Sequence, residues 1–232
     1  MKKLIVHILI LVALICPGQL KAQDFFDTSD ATSFFTFGAR IGFNTSNKTF
    51  PKDHFTLWNH NSWGTGFNVG ILANLNFKEY LSLQPGIFFE SRSGNYTYLT
   101  SYLNYAGKED THYEMGHIRG YYITVPVMGV VKFNIAEKIK WMVELGPYFQ
   151  IALQQTGVNN IAVLYRLPQN TGYSQYIAEH TSLDGGLKMG TGIRVFDHYY
   201  IGVHYLAGFC KTWKQPSGGK NKSWMFSIGY DL

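Results

Sequence analysis

Nine residues at the C-terminal end constrain the fold most. From Trp224 to Leu232 every second residue is large and apolar (Trp224, Phe226, Ile228, Tyr230, Leu232), with Met225, Ser227, Gly229 and Asp231 between them. A β-strand sends successive side chains to opposite faces, whereas a helix would scatter this pattern around its circumference. The segment therefore reads as a strand with one wholly apolar, aromatic face and one small or polar face. Such a face must lie against protein core or against lipid.

The same period of two recurs along the chain, and no helical period competes with it beyond the N-terminal two dozen residues. Eight strands are predicted. The first covers 34–44, with Phe35, Phe37, Ala39, Ile41 and Phe43 on one face. The next four cover 64–77, 81–92, 121–134 and 140–153. The last three cover 182–195, 199–209 and 224–232. The connections alternate. Those at 78–80, 135–139 and 196–198 are short; those at 45–63, 93–120, 154–181 and 210–222 are long. Tight turns at one end and long loops at the other are the mark of a barrel that crosses a membrane. Pro126 and Pro147 fall inside strands, where bulges are expected to absorb them.

Alternation alone does not say which face points outward; volume does. An eight-stranded barrel has an interior just wide enough for side chains to fill. The apolar face carries five or six bulky groups on most strands and does not fit there. The opposite face is rich in glycine, including Gly38, Gly42, Gly146, Gly192 and Gly202. It also carries charges of both signs: Arg40, Glu90, Arg92, Lys132, Glu144, Asp184, Lys188 and Arg194. These eight are expected to form an ion-pair network inside a narrow polar lumen, because an unpaired ion there is costly. Aromatic residues near strand ends (Phe34, Phe77, Tyr80, Tyr121, Tyr122, Phe133, Trp141, Tyr199, Tyr200, Trp224) are expected to form interfacial girdles. The opposing arrangement is a soluble lipocalin-like barrel with its charged face in water.

The N-terminal end supports export. Residues 1–22 have two lysines, an apolar run from Leu4 to Cys16 and a small residue at Ala22, the pattern of a cleaved signal peptide. Residues 23–33 would follow as a periplasmic segment and 34–232 as the barrel domain. The formal charge of +5 includes Lys2, Lys3 and Lys21, so the mature chain carries +2, with no basic cluster to suit nucleic acid. It keeps one cysteine, Cys210, and so has no internal disulfide.

Three segments carry a resemblance: ITVPVMGVVKF at 123–133, LGPYFQ at 145–150 and DGGLKMGTG at 184–192. With the Ala22-Gln23 junction, these resemble the outer-membrane β-barrel proteins common in Bacteroidetes, labelled porin-family or PorT-like. The resemblance implies a Gram-negative outer-membrane location. One branch of the family resembles a component of type IX protein secretion.

Chemistry is sparse. His60 with Ser62, and His180 with Ser182 and Asp184, have the residue types of a lipid-acting hydrolase, but no nucleophile motif surrounds them. His112, His117, Glu109, Asp110 and Glu114 form a loose acid–histidine cluster without metal-ligand spacing, better explained as a solvated loop. His204 is expected in the lumen as a hydrogen-bonded structural residue. The loops are rich in tyrosine (Tyr96, Tyr98, Tyr102, Tyr105 and Tyr113; Tyr165, Tyr173 and Tyr176), which suits protein or glycan recognition and equally suits packing of the loops on themselves. No cofactor motif is present. The expectation is a non-enzymatic membrane anchor and interaction component, accessory to secretion or envelope assembly. Its partners would be outer-membrane lipid, the barrel-assembly machinery during insertion, and a protein or glycan at the loops. A narrow porin-like channel and, behind it, a lipid-modifying enzyme are the alternatives.

Overall fold

The computed structural model describes residues 25–48, 59–103, 109–156, 182–210 and 220–232. Eight antiparallel strands form a closed barrel: β1 (Phe35–Lys48), β2 (Asn59–Lys78), β3 (Leu81–Leu103), β4 (Glu109–Ala136), β5 (Ile139–Thr156), β6 (Leu183–Val195), β7 (Tyr199–Gly208) and β8 (Asn221–Asp231). Each strand pairs with its sequence neighbours. The terminal strand closes the ring on the first, from Gly38↔Asp231 to Lys48↔Asn221.

Register fixes the barrel's shape. One row of paired residues runs Arg194, Tyr200, Gly229, Arg40, Gly70, Phe88, Thr124, Gln150 and returns to β6 at Asp184. The row starts at 194 and comes back at 184, a shear of ten residues. With strands about 4.8 Å apart and about 3.3 Å of rise per residue, that shear requires a tilt of about 40° and a backbone radius of about 8 Å. The tilt is that of membrane barrels.

The faces are inside out. Ile71 is 63% exposed and Ile228 59%, whereas Glu90, Asn44 and Asn68 are wholly buried. On β5 the outward row runs from Trp141 through Val143, Leu145, Phe149 and Ile151 to Leu153. Its twelve residue steps, tilted by about 40°, span about 30 Å, the thickness of a bilayer's hydrocarbon core. Aromatic pairs bound this belt. Toward the loop end lie Phe43 stacked on Phe226 (4.9 Å), Phe89 on Tyr121 (5.9 Å) and Tyr205 against Trp224 (4.8 Å). Toward the short-turn end lie Phe133 with Trp141 (5.1 Å) and Tyr199 with Tyr230 (5.5 Å).

Several sequence expectations change. Tyr122 and Tyr200 are not girdle residues: each is 2% exposed and points into the lumen, because even-numbered positions on β4 and β7 face inward. The expected second long loop is largely strand. β3 runs to Leu103 and β4 starts at Glu109, with continuous pairing from Arg92↔Gly120 to Leu103↔Glu109. Hydrogen bonding between these two strands continues past the barrel wall as a ribbon. Pro126 and Pro147 are not absorbed by bulges. Pairing skips from Pro85↔Val127 to Phe88↔Thr124, and from Pro126↔Tyr148 to Gly129↔Leu145, with register unchanged on either side. A proline without an N–H leaves a gap in the ladder, and here the neighbouring pairs hold it in line.

Residues 25–34 strap the short-turn end. Asp30 bridges to Lys78, and the Glu79 amide donates to the Ser29 carbonyl (3.2 Å). The Thr32 amide and hydroxyl both donate to Glu79 Oε1 (2.8 and 2.9 Å). Phe25 and Phe26 pack on Phe133 (5.0 and 4.9 Å) and extend the aromatic girdle. The β6–β7 turn holds Phe196 and Asp197 at positive φ (53° and 61°), the backbone of the mirror-image hairpin turns that match strand twist.

Candidate functional site

The lumen is where the chain concentrates its polar chemistry. All eight charged residues expected there are buried. The structure brings them together less symmetrically than an alternating network. Glu90 pairs with Arg92 two residues on along β3, through both Nε (2.8 Å) and Nη2. Arg40 and Arg194 share a single carboxylate, each 2.6 Å from Asp231. Asp231 was missed as a network member. The visible signal was its place on the polar face of the terminal strand, but a carboxylate next to the chain end reads as solvated until β8 is known to close onto β1.

Glu144 is bound on both oxygens. Tyr200 Oη donates to Oε1 (2.6 Å) and His204 Nε2 to Oε2 (2.8 Å). His204 is thus the buried structural histidine expected. Among the described residues, Asp184 has no cation partner. It accepts from Asn221 Nδ2 (2.8 Å), the Gly185 amide (2.8 Å) and Tyr148 Oη (3.4 Å). Lys132, near the short-turn end, donates to Asn76 Oδ1 (2.8 Å). Lys188 lies over the Phe88 ring at 4.7 Å.

Aromatic and aliphatic groups fill the rest, so the lumen is bulkier than the sequence suggested. Met128, Val130, Met142 and Tyr200 form one cluster; Tyr148, Leu206 and Met225 form another. Glycine makes this possible at Tyr200. A Cβ at either Gly192 or Gly202 would overlap its ring. Arg40 covers the same ring at 4.1 Å from its centroid. Among the described residues, a cavity of about 20 Å³ lies beside Arg40, Gln84, Glu144, Lys188, His204 and Ser227.

The other candidates fall largely outside the described residues. Ser182 is exposed while Asp184 is turned into the lumen and occupied, and His180 lies outside the described residues. Ser62 is exposed, and the His60 side chain lies outside the described residues. Glu109, Asp110, His112, Glu114 and His117 are positions of β4 rather than of a loop, and their side chains also lie outside the described set. Tyr105, Tyr165, Tyr173 and Tyr176 lie outside it altogether. No group of three metal-ligating side chains occurs among the described residues.

A family model described as an outer membrane protein beta-barrel domain matches residues 21–213. The chain belongs to this outer-membrane β-barrel family. Solved structures similar to this outer-membrane barrel include OprG from Pseudomonas aeruginosa, at 12% identity and a TM-score of 0.44. That match covers 89% of this chain and 99% of the other. Ail, the attachment invasion locus protein of Yersinia pestis, solved with the heparin analogue sucrose octasulfate, is similar at 14% identity and 0.40, covering 86% and 100%. Neisserial surface protein A is similar at 13% and 0.41, covering 86% and 97%. No curated protein matches by sequence. Family membership places the barrel in the outer membrane.

Proposed function

We propose that this outer-membrane barrel is a non-catalytic, non-conducting anchor. It presents the β3–β4 ribbon and its loops to a protein or glycan partner, as an accessory to secretion or envelope assembly, among the porin-family or PorT-like outer-membrane proteins of Bacteroidetes. The supporting observation is the filled lumen. A backbone radius of about 8 Å is occupied by two apolar clusters and a bonded polar layer. The cavity of about 20 Å³ beside Glu144 has room for about one water molecule.

The experiment is paired. In planar bilayers the mature protein gives no discrete conductance steps; steps would favour the channel reading instead. That reading draws its support from polar side chains placed along the lumen, from Asp231 and Arg194 near the periplasmic end to Asn221 and Ser223 near the outer end. In pull-downs from envelope extracts, a variant lacking the ribbon beyond Gly94 and Ile118 loses the captured partner. Retention of every partner by that variant would reject the recognition role.

A further inference from the structure

The lipid-facing belt is not uniform. One row of paired outward residues runs Ile201, Ile228, Ile41, Val69, Phe89 and Ile123, from β7 through β8 and β1 to β4. The row beside it, on the short-turn side, passes through Tyr230, Ala39, Ile71 and Ile87. Between their ends both rows are aliphatic, and Ala39 is the smallest member. Rings project on either side. Toward the loop end Phe226 stacks on Phe43 (4.9 Å), which pairs with Phe67. Toward the short-turn end Phe37 meets Phe35 edge to face (4.6 Å). The floor between these rings is low enough to reach the backbone at Gly70 and Gly229. The result is an open trough of about 790 Å³ on the outer wall. That volume falls within the range of about 300–1,000 Å³ that holds small molecules.

Its shape and chemistry match a hydrocarbon chain. Five interstrand steps of about 4.8 Å make the first row about 24 Å long. At a strand tilt of about 40° the row climbs about 15 Å, half of a hydrocarbon core of about 30 Å. An acyl chain laid along it stays within one leaflet. In lipid no hydrophobic force favours one apolar surface over another, so the extent of close contact decides. A trough walled on two sides offers more contact than the convex wall elsewhere. The short-turn end of the trough is polar. Tyr199 and Tyr230 lie there, both exposed, with ring centroids 5.5 Å apart. Tyrosine sits at headgroup level, and each phenol can donate one hydrogen bond. Two phenols suit a single phosphodiester better than the paired phosphates of lipid A, which call for cations.

We propose that this trough binds one phospholipid, with an acyl chain lying across Ala39 along the Ile201–Ile123 row and the phosphate accepting from Tyr199 and Tyr230. The trough crosses the seam where β8 closes on β1. The bound lipid therefore fills a hollow in the wall at the one junction that joins the two ends of the barrel. It is a fixed component of the surface rather than exchanging solvent. The site does not depend on the anchor role proposed above.

Native mass spectrometry of the full mature chain tests it, in detergent supplied with dipalmitoyl phosphatidylethanolamine and with lipid A. Ala39→Trp fills the floor of the trough. Ala207→Trp puts the same ring on the outer face of β7 away from it. The wild type and Ala207→Trp should each keep one phospholipid through detergent exchange, and Ala39→Trp should lose it while circular dichroism still reports a folded barrel. The double variant Tyr199→Phe, Tyr230→Phe leaves the trough intact and should release the lipid in milder exchange than the wild type; it carries the test should Ala39→Trp not fold. A wild type without retained phospholipid would overturn the proposal, as would equal retention in Ala39→Trp or in the tyrosine variant. Retention of lipid A instead would also refute it, and so would a dimer that Ala39→Trp breaks, since a second copy would then occupy the trough.

Discussion

Asp231→Asn offers the sharpest test of the lumen as a load on stability. The substitution keeps size and backbone and removes one charge. In the wild type, Asp231 meets Arg40 and Arg194 at 2.6 Å each, with side chains 3% exposed for Asp231 and Arg40 and 8% for Arg194. Removing one partner of a buried pair costs about 3–5 kcal/mol, because the survivor stays buried and uncompensated. Two arginines are left here, but the losses should not double. Arg40 keeps its Tyr200 ring contact and its bond to the Ala39 carbonyl (3.1 Å), and Arg194 lies at the short-turn end of β6. The expected loss is about 4 kcal/mol. It would be read as a shift in urea midpoint at unchanged slope, by tryptophan fluorescence of the barrel folded into vesicles. Replacing Asp231, Arg40 and Arg194 together by Leu, Met and Met should recover most of it, since apolar substitutes for a buried ionic set are often neutral. A loss below about 1 kcal/mol for Asp231→Asn would refute the view of the lumen as a dry, paired interior. Asp30→Asn is the built-in contrast: its bond to Lys78 lies on the exposed strap and should leave the midpoint unchanged.

Ile71→Arg should destabilise the vesicle-folded barrel by about 2–4 kcal/mol if lipid covers that face, whereas a water-facing site would move by only a few tenths in the same titration. Tyr200→Phe removes the hydroxyl on Glu144 and should cost about 1–3 kcal/mol, and Gly202→Ala should cost a similar amount by displacing the ring; urea midpoints read both. The strap at the short-turn end should loosen in acid. Burial raises the Glu79 carboxyl, but the Thr32 amide and hydroxyl and the Lys140 ammonium outweigh it and hold the group below its ordinary value. A depressed carboxylate stabilises above its unfolded value of about 4.3, and that stability is lost as pH falls through the folded value. Amide exchange at Thr32 should therefore accelerate below about pH 4, and Glu79→Gln should remove that acceleration at Thr32.

The outward face was legible in the sequence because lipid imposes one rule on every second residue. Phe35, Phe37, Ile41 and Phe43 point out as the alternation requires, and so do all five large residues of the terminal strand. The lumen was legible only in its charges. Which carboxylate meets which cation depends on register and shear. Arg40, on β1, meets Asp231 because the chain's last strand returns beside its first, a fact of closure that no local pattern carries. Tyr122 and Tyr200 misled for a related reason. Near a strand end an aromatic fits girdle and lumen equally well, and only parity against the neighbouring strands separates Tyr199, outside, from Tyr200, inside. The ribbon was missed because Gly94, Gly116 and the polar residues between them read as loop. Backbone pairing beyond the membrane does not need an apolar face on either side.

These points share a physical cause. In a soluble protein the hydrophobic effect fills the centre, and polar groups at the surface find water. Here lipid takes the bulky groups, so the centre must be built from what remains. At this radius the remainder has to be closely packed, with its charges set against carboxylates, rings or hydrogen-bonding groups. The row Arg194, Tyr200, Gly229, Arg40, Gly70, Phe88 shows the solution: large side chains lie across the space that glycines leave open, and cations rest on rings as well as on carboxylates. An interior so constructed resists opening, because moving any member uncovers a charge. That cost is the physical reason to expect a rigid barrel.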